Sequence, residues 1–194
     1  MNFGDPEVWA SMITAVAGIG AAWFTVRQSR KRKHDPIRED AAQSANVYAA
    51  LEYSLGELKA DRSYVLQFHN GGHYYSGRGQ QKFSCTHEVV NEGISAEHIN
   101  SQDHRISTCH LYIQSLIEGE KFSYSDIGEI NDPGFLRILE NKGVKRILNV
   151  TIKTLKGKII GILGIDFVKG SSNVTEEQCG FLQTQARIIA GYLI

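Results

Sequence analysis

Residues able to do chemistry crowd one stretch of this chain. Six of the seven histidines, His69, His73, His87, His98, His104 and His110, lie between residues 69 and 110, together with Cys85 and Cys109. Imidazole, thiol, hydroxyl and carboxylate groups in one region can converge on a polar ligand or hold a metal ion. The first reading is a ligand pocket. His69 and Asn70 close a strand end, and His73, Tyr75 and Arg78 sit in a glycine-rich loop serving as a lid. Ser84, Thr86 and Glu88 offer hydrogen bonds from one face of the next strand. The second reading is a metal site built from His69, His73, Cys85 and His87. Imidazole and thiolate suit zinc or iron, although no tight ligand pair is followed by a second. The third reading places the histidines in exposed loops and a satisfied core.

Several reaction classes find no support in the residues. The loop Asn70 to Gly79 lacks the Gly-x-x-x-x-Gly-Lys-Ser/Thr spacing of a phosphate loop. No Gly-x-Ser-x-Gly turn is present. Cys85, Cys109 and Cys179 are odd in number and widely spaced, which is no disulfide framework and suits a reducing compartment. The 21 basic residues balance the 21 acidic ones, so no global field favours nucleic acid.

The elements that must position these groups are legible from periodicity. Ser63 to His69 and Lys82 to Val90 alternate as strands. On the second, Phe83, Cys85, His87 and Val89 are expected on one side, with Ser84, Thr86 and Glu88 on the other. Ser107 to Ile117 reads as a helix. Arg146 to Lys153 alternates with Leu148, Val150 and Ile152 on one face. Ile159 to Val168 is a nearly continuous apolar run, interrupted by Asp166, and reads as a central strand. Gly157 supplies the turn between these two strands. Thr175 and Gln178 form a capping box, and the helix they open gathers Phe181, Leu182, Gln185, Ile188, Ile189 and Tyr192 near one side. Earlier in the chain, Ile37, Ala41, Ser44, Tyr48, Leu51, Leu55 and Leu58 fall on one helical stripe.

The order of these pieces resembles a GAF domain over roughly residues 40 to 194. The resemblance is carried by Asp126 with Asp132-Pro133-Gly134-Phe135, by Gly143-Val144-Lys145-Arg146 leading into Ile152, by Gly157 to Ile165, and by the helix after Thr175-Glu176-Glu177. It implies an α+β fold, an antiparallel sheet of six or so strands with terminal helices on one face and a small-molecule pocket on the other. Subfamily marks are missing. Asp166 to Ser171 lacks the pattern of cyclic-nucleotide-binding members. Cys109-His110 looks similar to a bilin-attachment pair but does not lie in the helix before Gly143. Ser84 to Ser95 is loosely similar to the cysteine-bearing strand of a free methionine sulfoxide reductase, yet Ser95 stands where a second thiol is wanted.

Ahead of this domain, Val8 to Val26 carries no charge, and Arg27, Arg30, Lys31, Arg32 and Lys33 follow it. The expected organisation is a tail at 1–7, a transmembrane helix at 8–26, a basic linker at 27–38 and a GAF-like domain at 39–194. The positive-inside rule then gives a single-pass protein of the inner membrane with its C-terminal domain in the cytoplasm. The expected function is a non-enzymatic sensor that binds a small polar ligand or a signalling partner and acts through association, including homodimerisation through its helices. An interaction scaffold with a vestigial pocket, or a thiol-dependent reductase, is the alternative. No cofactor is assigned, and no nucleic acid is expected.

Overall fold

The structure is a computed structural model that describes residues 6–33, 35–169 and 174–194. It comprises two compact units, Met1–Ala41 and Ala42–Ile194. The first contains α1 (Pro6–Lys33), whose larger side chains, Ile13, Val16, Ile19 and Trp23 among them, are exposed. Among the described residues no helix is long and apolar enough to cross a membrane. The spanning helix expected at 8–26 is therefore not supported, although the stretch is helical. More than half of it is alanine, glycine, serine or threonine, which contribute little to transfer into hydrocarbon.

The second unit is built on one antiparallel sheet. In chain order, α2 (Pro36–Leu58) leads into β1 (Arg62–His73), β2 (Gly79–Val90), β3 (His104–Arg105), α3 (His110–Gly119), β4 (Lys121–Tyr124), α4 (Pro133–Asn141), β5 (Arg146–Lys153), β6 (Ile159–Phe167) and α5 (Glu176–Tyr192). The strand order is β3-β2-β1-β6-β5-β4. α5 starts at the expected capping box: Thr175 accepts from the Gln178 backbone, and Gln178 accepts from the Thr175 backbone.

Alternation along each strand divides the core in two. Val65, Leu148, Val150, Ile152, Leu163, Ile165 and Phe167 face α2 and α5, and pack on Val47, Leu51, Leu55, Leu58, Leu182 and Ile189. The stripe on α2 is rotated from the expected one. Leu51, Leu55 and Leu58 are buried with Val47, Ala50 and Ser54, while Ile37 is exposed. On the other face Tyr64, Leu66, Phe83, Cys85, Ile147 and Ile162 pack on Tyr112, Ile113 and Leu116 of α3 and on Phe135 and Leu139 of α4.

Two local differences from the expected elements matter for the site. β1 and β2 run on through most of the glycine-rich stretch, so the tip is a turn over Tyr74 to Arg78, closed by the Tyr74 N–H on the Arg78 carbonyl at 2.8 Å. The second is a β-bulge. Val65 pairs with His87 but Leu66 pairs with Cys85, leaving Thr86 as the extra residue. The bulge reverses the pleat. Phe83 and Cys85 face α3, whereas His87 meets Ser44 and Tyr48 of α2 and Val89 packs on the α2/α5 side. The single-sided set Phe83, Cys85, His87, Val89 is thus corrected.

Candidate ligand site

Charged residues stand where the pleat of β1, β2 and β6 faces inward beneath the segment 91–103. Arg62 of β1 is 1 % exposed and donates from Nη1 to Asp166 Oδ2 of β6 at 2.8 Å, and from Nη2 to the Ser95 carbonyl at 3.0 Å. Glu88 of β2 lies with Oε1 3.4 Å from Arg62 Nε. Its Oε2 accepts from the backbone N–H of Glu97 and of His98, each at 2.8 Å. Tyr64 Oη is 2.9 Å from Asp166 Oδ1 and 3.1 Å from Asn149 Oδ1. A hydroxyl has one proton, and the carboxylate at the shorter distance is the better acceptor. Asn149 of β5 donates in turn to Tyr112 Oη at 2.6 Å. The chain of contacts thus runs from Glu88 through Arg62, Asp166, Tyr64 and Asn149 to Tyr112 across five elements.

Close packing holds this arrangement. A Cβ on Gly164 would overlap the Tyr64 ring and come within 2.5 Å of Asn149 Oδ1, so only glycine lets the tyrosine lie flat on β6. Tyr112 stacks on Phe135 with ring centroids 3.6 Å apart, and Phe122 meets Tyr112 edge-on at 4.7 Å. The Asp132-Pro133-Gly134-Phe135 run builds that stack. Asp132 caps α4 through Gly134 and Phe135 and accepts the Tyr112 N–H at 3.0 Å, tying α3 to α4. A Cβ on Gly134 would collide with the Thr108 carbonyl.

The segment 91–103 covers this face through polar bonds. Ser101 accepts the Cys85 N–H on its carbonyl at 2.7 Å, Gln102 Nε2 donates to the Cys85 carbonyl at 2.7 Å, and Lys142 Nζ donates to Ser101 Oγ at 2.7 Å. Burial raises the carboxyl pKa of Asp166 and of Glu88; Lys142, Arg62 and the hydrogen bonds offset this only in part. Burial also pushes the Cys85 and Cys109 thiols up to about 12. Neither sulfur carries an appreciable thiolate fraction near neutrality, and the thiolate is the nucleophilic form.

The residues expected to line a pocket do not come together. Glu88 alone faces the buried cluster. His69 and Ser84 lie on the α2/α5 face, with His69 Nε2 2.8 Å from Ser84 Oγ, which also accepts the Asp103 N–H. Asn70 accepts from Gln81 at the strand end at 2.9 Å. His69, Asn70 and Gln81 border a cavity of about 600 Å³ shared with Thr154, Lys158 and Ile194. Thr86 is the bulge residue, its hydroxyl 3.5 Å from the Val65 carbonyl. His73, Tyr75 and Arg78 are exposed at the hairpin, Arg78 5.5 Å from the Tyr74 ring centre. The four proposed metal ligands do not converge either. Cys85 and His87 point to opposite faces, and among the described residues no group of three or more His, Cys, Asp or Glu is placed to hold a metal ion.

Sequence reasoning missed Arg62, Tyr64, Tyr112, Lys142 and Asn149. Asp166 was the available signal, a carboxylate inside an apolar strand.

A family model for the GAF domain matches residues 45–193. The chain belongs to the GAF domain family. Among solved structures, the blue-light absorbing form of the Thermosynechococcus elongatus PixJ GAF domain is 15% identical. Its TM-score is 0.66, over 82% of this chain and 89% of that one. The photoproduct state of GAF3 from Slr1393 of Synechocystis sp. PCC6803 is 13% identical, with a TM-score of 0.60 over 78% and 92%. A GAF domain/HD domain protein from Geobacter sulfurreducens is 10% identical, with a TM-score of 0.56 over 76% and 89%. At such identities the likeness speaks for the fold alone. None of the curated proteins matches the chain in sequence. GAF domains are generally sensory or binding modules rather than enzymes.

Proposed function

We propose that this GAF domain is a sensor that binds a small polar ligand on the sheet face beneath residues 91–103 and acts through association rather than catalysis. The observation that carries the reading is the Arg62–Glu88–Asp166 cluster. Removing two carboxylates and a guanidinium from water costs several kcal/mol per ion, and ion pairing at best restores it. A purely structural core is served as well by apolar residues at those positions. The cluster is also tied by direct bonds to the segment that covers it, so a change at the cluster is passed to an exposed surface.

A second reading is a scaffold with a vestigial pocket, favoured by the Tyr112–Phe135 stack over the centre of the same face. Native mass spectrometry on the full chain separates the two. A bound metabolite-sized mass that is lost in Arg62→Met, with the fold intact by near-UV circular dichroism, supports the sensor. A protein that stays bare through exposure to a metabolite extract supports the scaffold.

The proposed location is the cytoplasmic face of the inner membrane. Its support is the uncharged run 8–26 followed by a basic cluster, a composition suited to lying against an anionic surface. Co-sedimentation with vesicles containing anionic lipid is expected, and its persistence after deletion of residues 1–33 would remove that support. Homodimerisation is part of the same proposal. A monomeric mass at micromolar concentration sinks it.

A further inference from the structure

Glu88 is a carboxylate held as a ligand is held. One oxygen takes two adjacent backbone N–H groups, from Glu97 and His98, at 2.8 Å each. Successive N–H groups converging on one point form an anion-binding concavity. The other oxygen faces the guanidinium of Arg62, and a planar guanidinium beside such a concavity makes a carboxylate clamp. The fit is imperfect. Arg62 Nε is buried, makes no hydrogen bond among the described residues, and reaches Glu88 Oε1 only at 3.4 Å. That is long for a charge-assisted hydrogen bond, whose usual length is about 2.7–2.9 Å. The tether from β2 holds the carboxylate short of the position the clamp is built for. Burial, which raises the Glu88 carboxyl pKa, adds to the cost of keeping it there ionised.

Charge says what else fits. Asp166 takes Arg62 Nη1 on one oxygen and the Tyr64 hydroxyl on the other, so each oxygen already has a donor. Lys142, at the C-terminal end of α4, reaches toward the same cluster and is bonded to Ser101 Oγ. If Glu88 swings away, Arg62 Nε and two N–H groups face the vacated space, with Lys142 close by. A group that fills it must carry one negative charge, be planar, and accept two hydrogen bonds on one oxygen.

We infer that Glu88 is a tethered stand-in for a small carboxylate ligand, and that the clamp of Arg62 with the Glu97 and His98 N–H groups is a carboxylate site which a ligand enters by displacing it. The inference rests on the sensor reading and names its ligand class. It also supplies the output. Glu88 links β2 to the segment 91–103, and a free carboxylate in its place leaves the Glu97 and His98 N–H groups bonded to the ligand rather than to β2.

The test is carboxylate rescue of Glu88→Ala in the full chain, with formate and acetate as probes and chloride at equal ionic strength as control. The expected result is a melting temperature several degrees higher in 50 mM acetate or formate than in chloride for Glu88→Ala, with wild type shifting far less. If Glu88→Ala does not fold in chloride, recovery of the native near-UV spectrum on refolding in formate or acetate is the same result. A folded Glu88→Ala that does not distinguish acetate from chloride overturns the inference, as does failure to refold in either salt. An equal response to inorganic phosphate or sulfate overturns the carboxylate assignment. The sensor reading is judged separately by native mass spectrometry of wild type. An uncharged bound metabolite with no rescue of Glu88→Ala sinks the carboxylate site and leaves the sensor. A bare wild type with clear rescue does the reverse.

Discussion

The two faces of the sheet are made by alternate residues of the same strands, yet they are built on different physics. On the α2/α5 face, Val65, Leu163 and Ile165 meet Leu51, Leu182 and Ile189, and side chains of similar volume are nearly interchangeable there. On the other face, Ile147, Ile162 and Leu66 surround Arg62, Asp166, Asn149, Tyr64 and Tyr112. Directional bonds and charge, rather than area, decide what is tolerated at those five positions. The first face stabilises the domain whatever it does. The second adds buried ions that bring little net stability and are bonded to residues 91–103.

The comparison is broken most sharply by Arg62→Met, which leaves Glu88 and Asp166 without the guanidinium that pairs with both. We expect a loss of about 3–5 kcal/mol in urea unfolding. Replacing all three charges with apolar residues of similar volume is expected to recover most of that loss, because no unpaired charge is left. A triple variant as unstable as Arg62→Met means that the cluster is a structural keystone. Next in size is Leu51→Ala on the α2/α5 face, expected to cost about 3 kcal/mol and to leave ligand uptake unchanged. Gly164→Ala follows, at about 1–3 kcal/mol. The new methyl must push the Tyr64 ring from β6, and the variant should unbind Tyr64 from Asp166 as well as destabilise.

The faces should also titrate differently. Glu88 and Asp166 have folded pKa values raised above the ordinary 4.5 and 3.8, chiefly by burial. The folded state therefore binds protons more tightly than the unfolded one. Their contribution to stability is greatest below those ordinary values and falls as pH rises through the raised ones. His104 acts the other way, since burial lowers its pKa and its protonation opposes folding below 6.5. The useful quantity is the difference between wild type and Glu88→Gln. We expect that difference in melting temperature to change between pH 4.5 and 8 in favour of the variant at the higher pH. A pH-independent difference contradicts the assignment.

Elements governed by periodicity and local capping were legible in the sequence: β5, β6, α4, α5 with its capping box, and the family they spell out in order. Three things were not. The bulge at Thr86 leaves no mark in composition, because it is decided by pairing with β1, and it turned an expected one-sided row into two. The burial of Arg62 follows from its distance partners, Asp166 104 residues away and Glu88 on a neighbouring strand, and reads locally as an ordinary polar strand start. Histidine density pointed to a region in which the histidines do not converge. His69, His73 and His87 are dispersed over the helix face and a hairpin, and the buried polar cluster is made of an arginine and two carboxylates.

The smallest expected effect tests that last point. His69 and Ser84 share a hydrogen bond of 2.8 Å on the α2/α5 face, and His69 is about two-fifths exposed. A partly solvated bond exchanges for one with water at little loss, so Ser84→Ala should cost no more than about 1 kcal/mol. It also frees the Asp103 N–H, which is close enough to the surface to find water. Asp103 itself stays paired with Lys82, whose hydrogen bond holds its carboxyl pKa below the ordinary value. Ligand uptake and the exchange of the Glu97 and His98 amide protons should match wild type. A Ser84→Ala protein that folds normally but loses its ligand would move the site to the cavity bordered by His69, Asn70 and Gln81. The buried ions would then be left as structure alone, and the contrast between the two faces would be reversed.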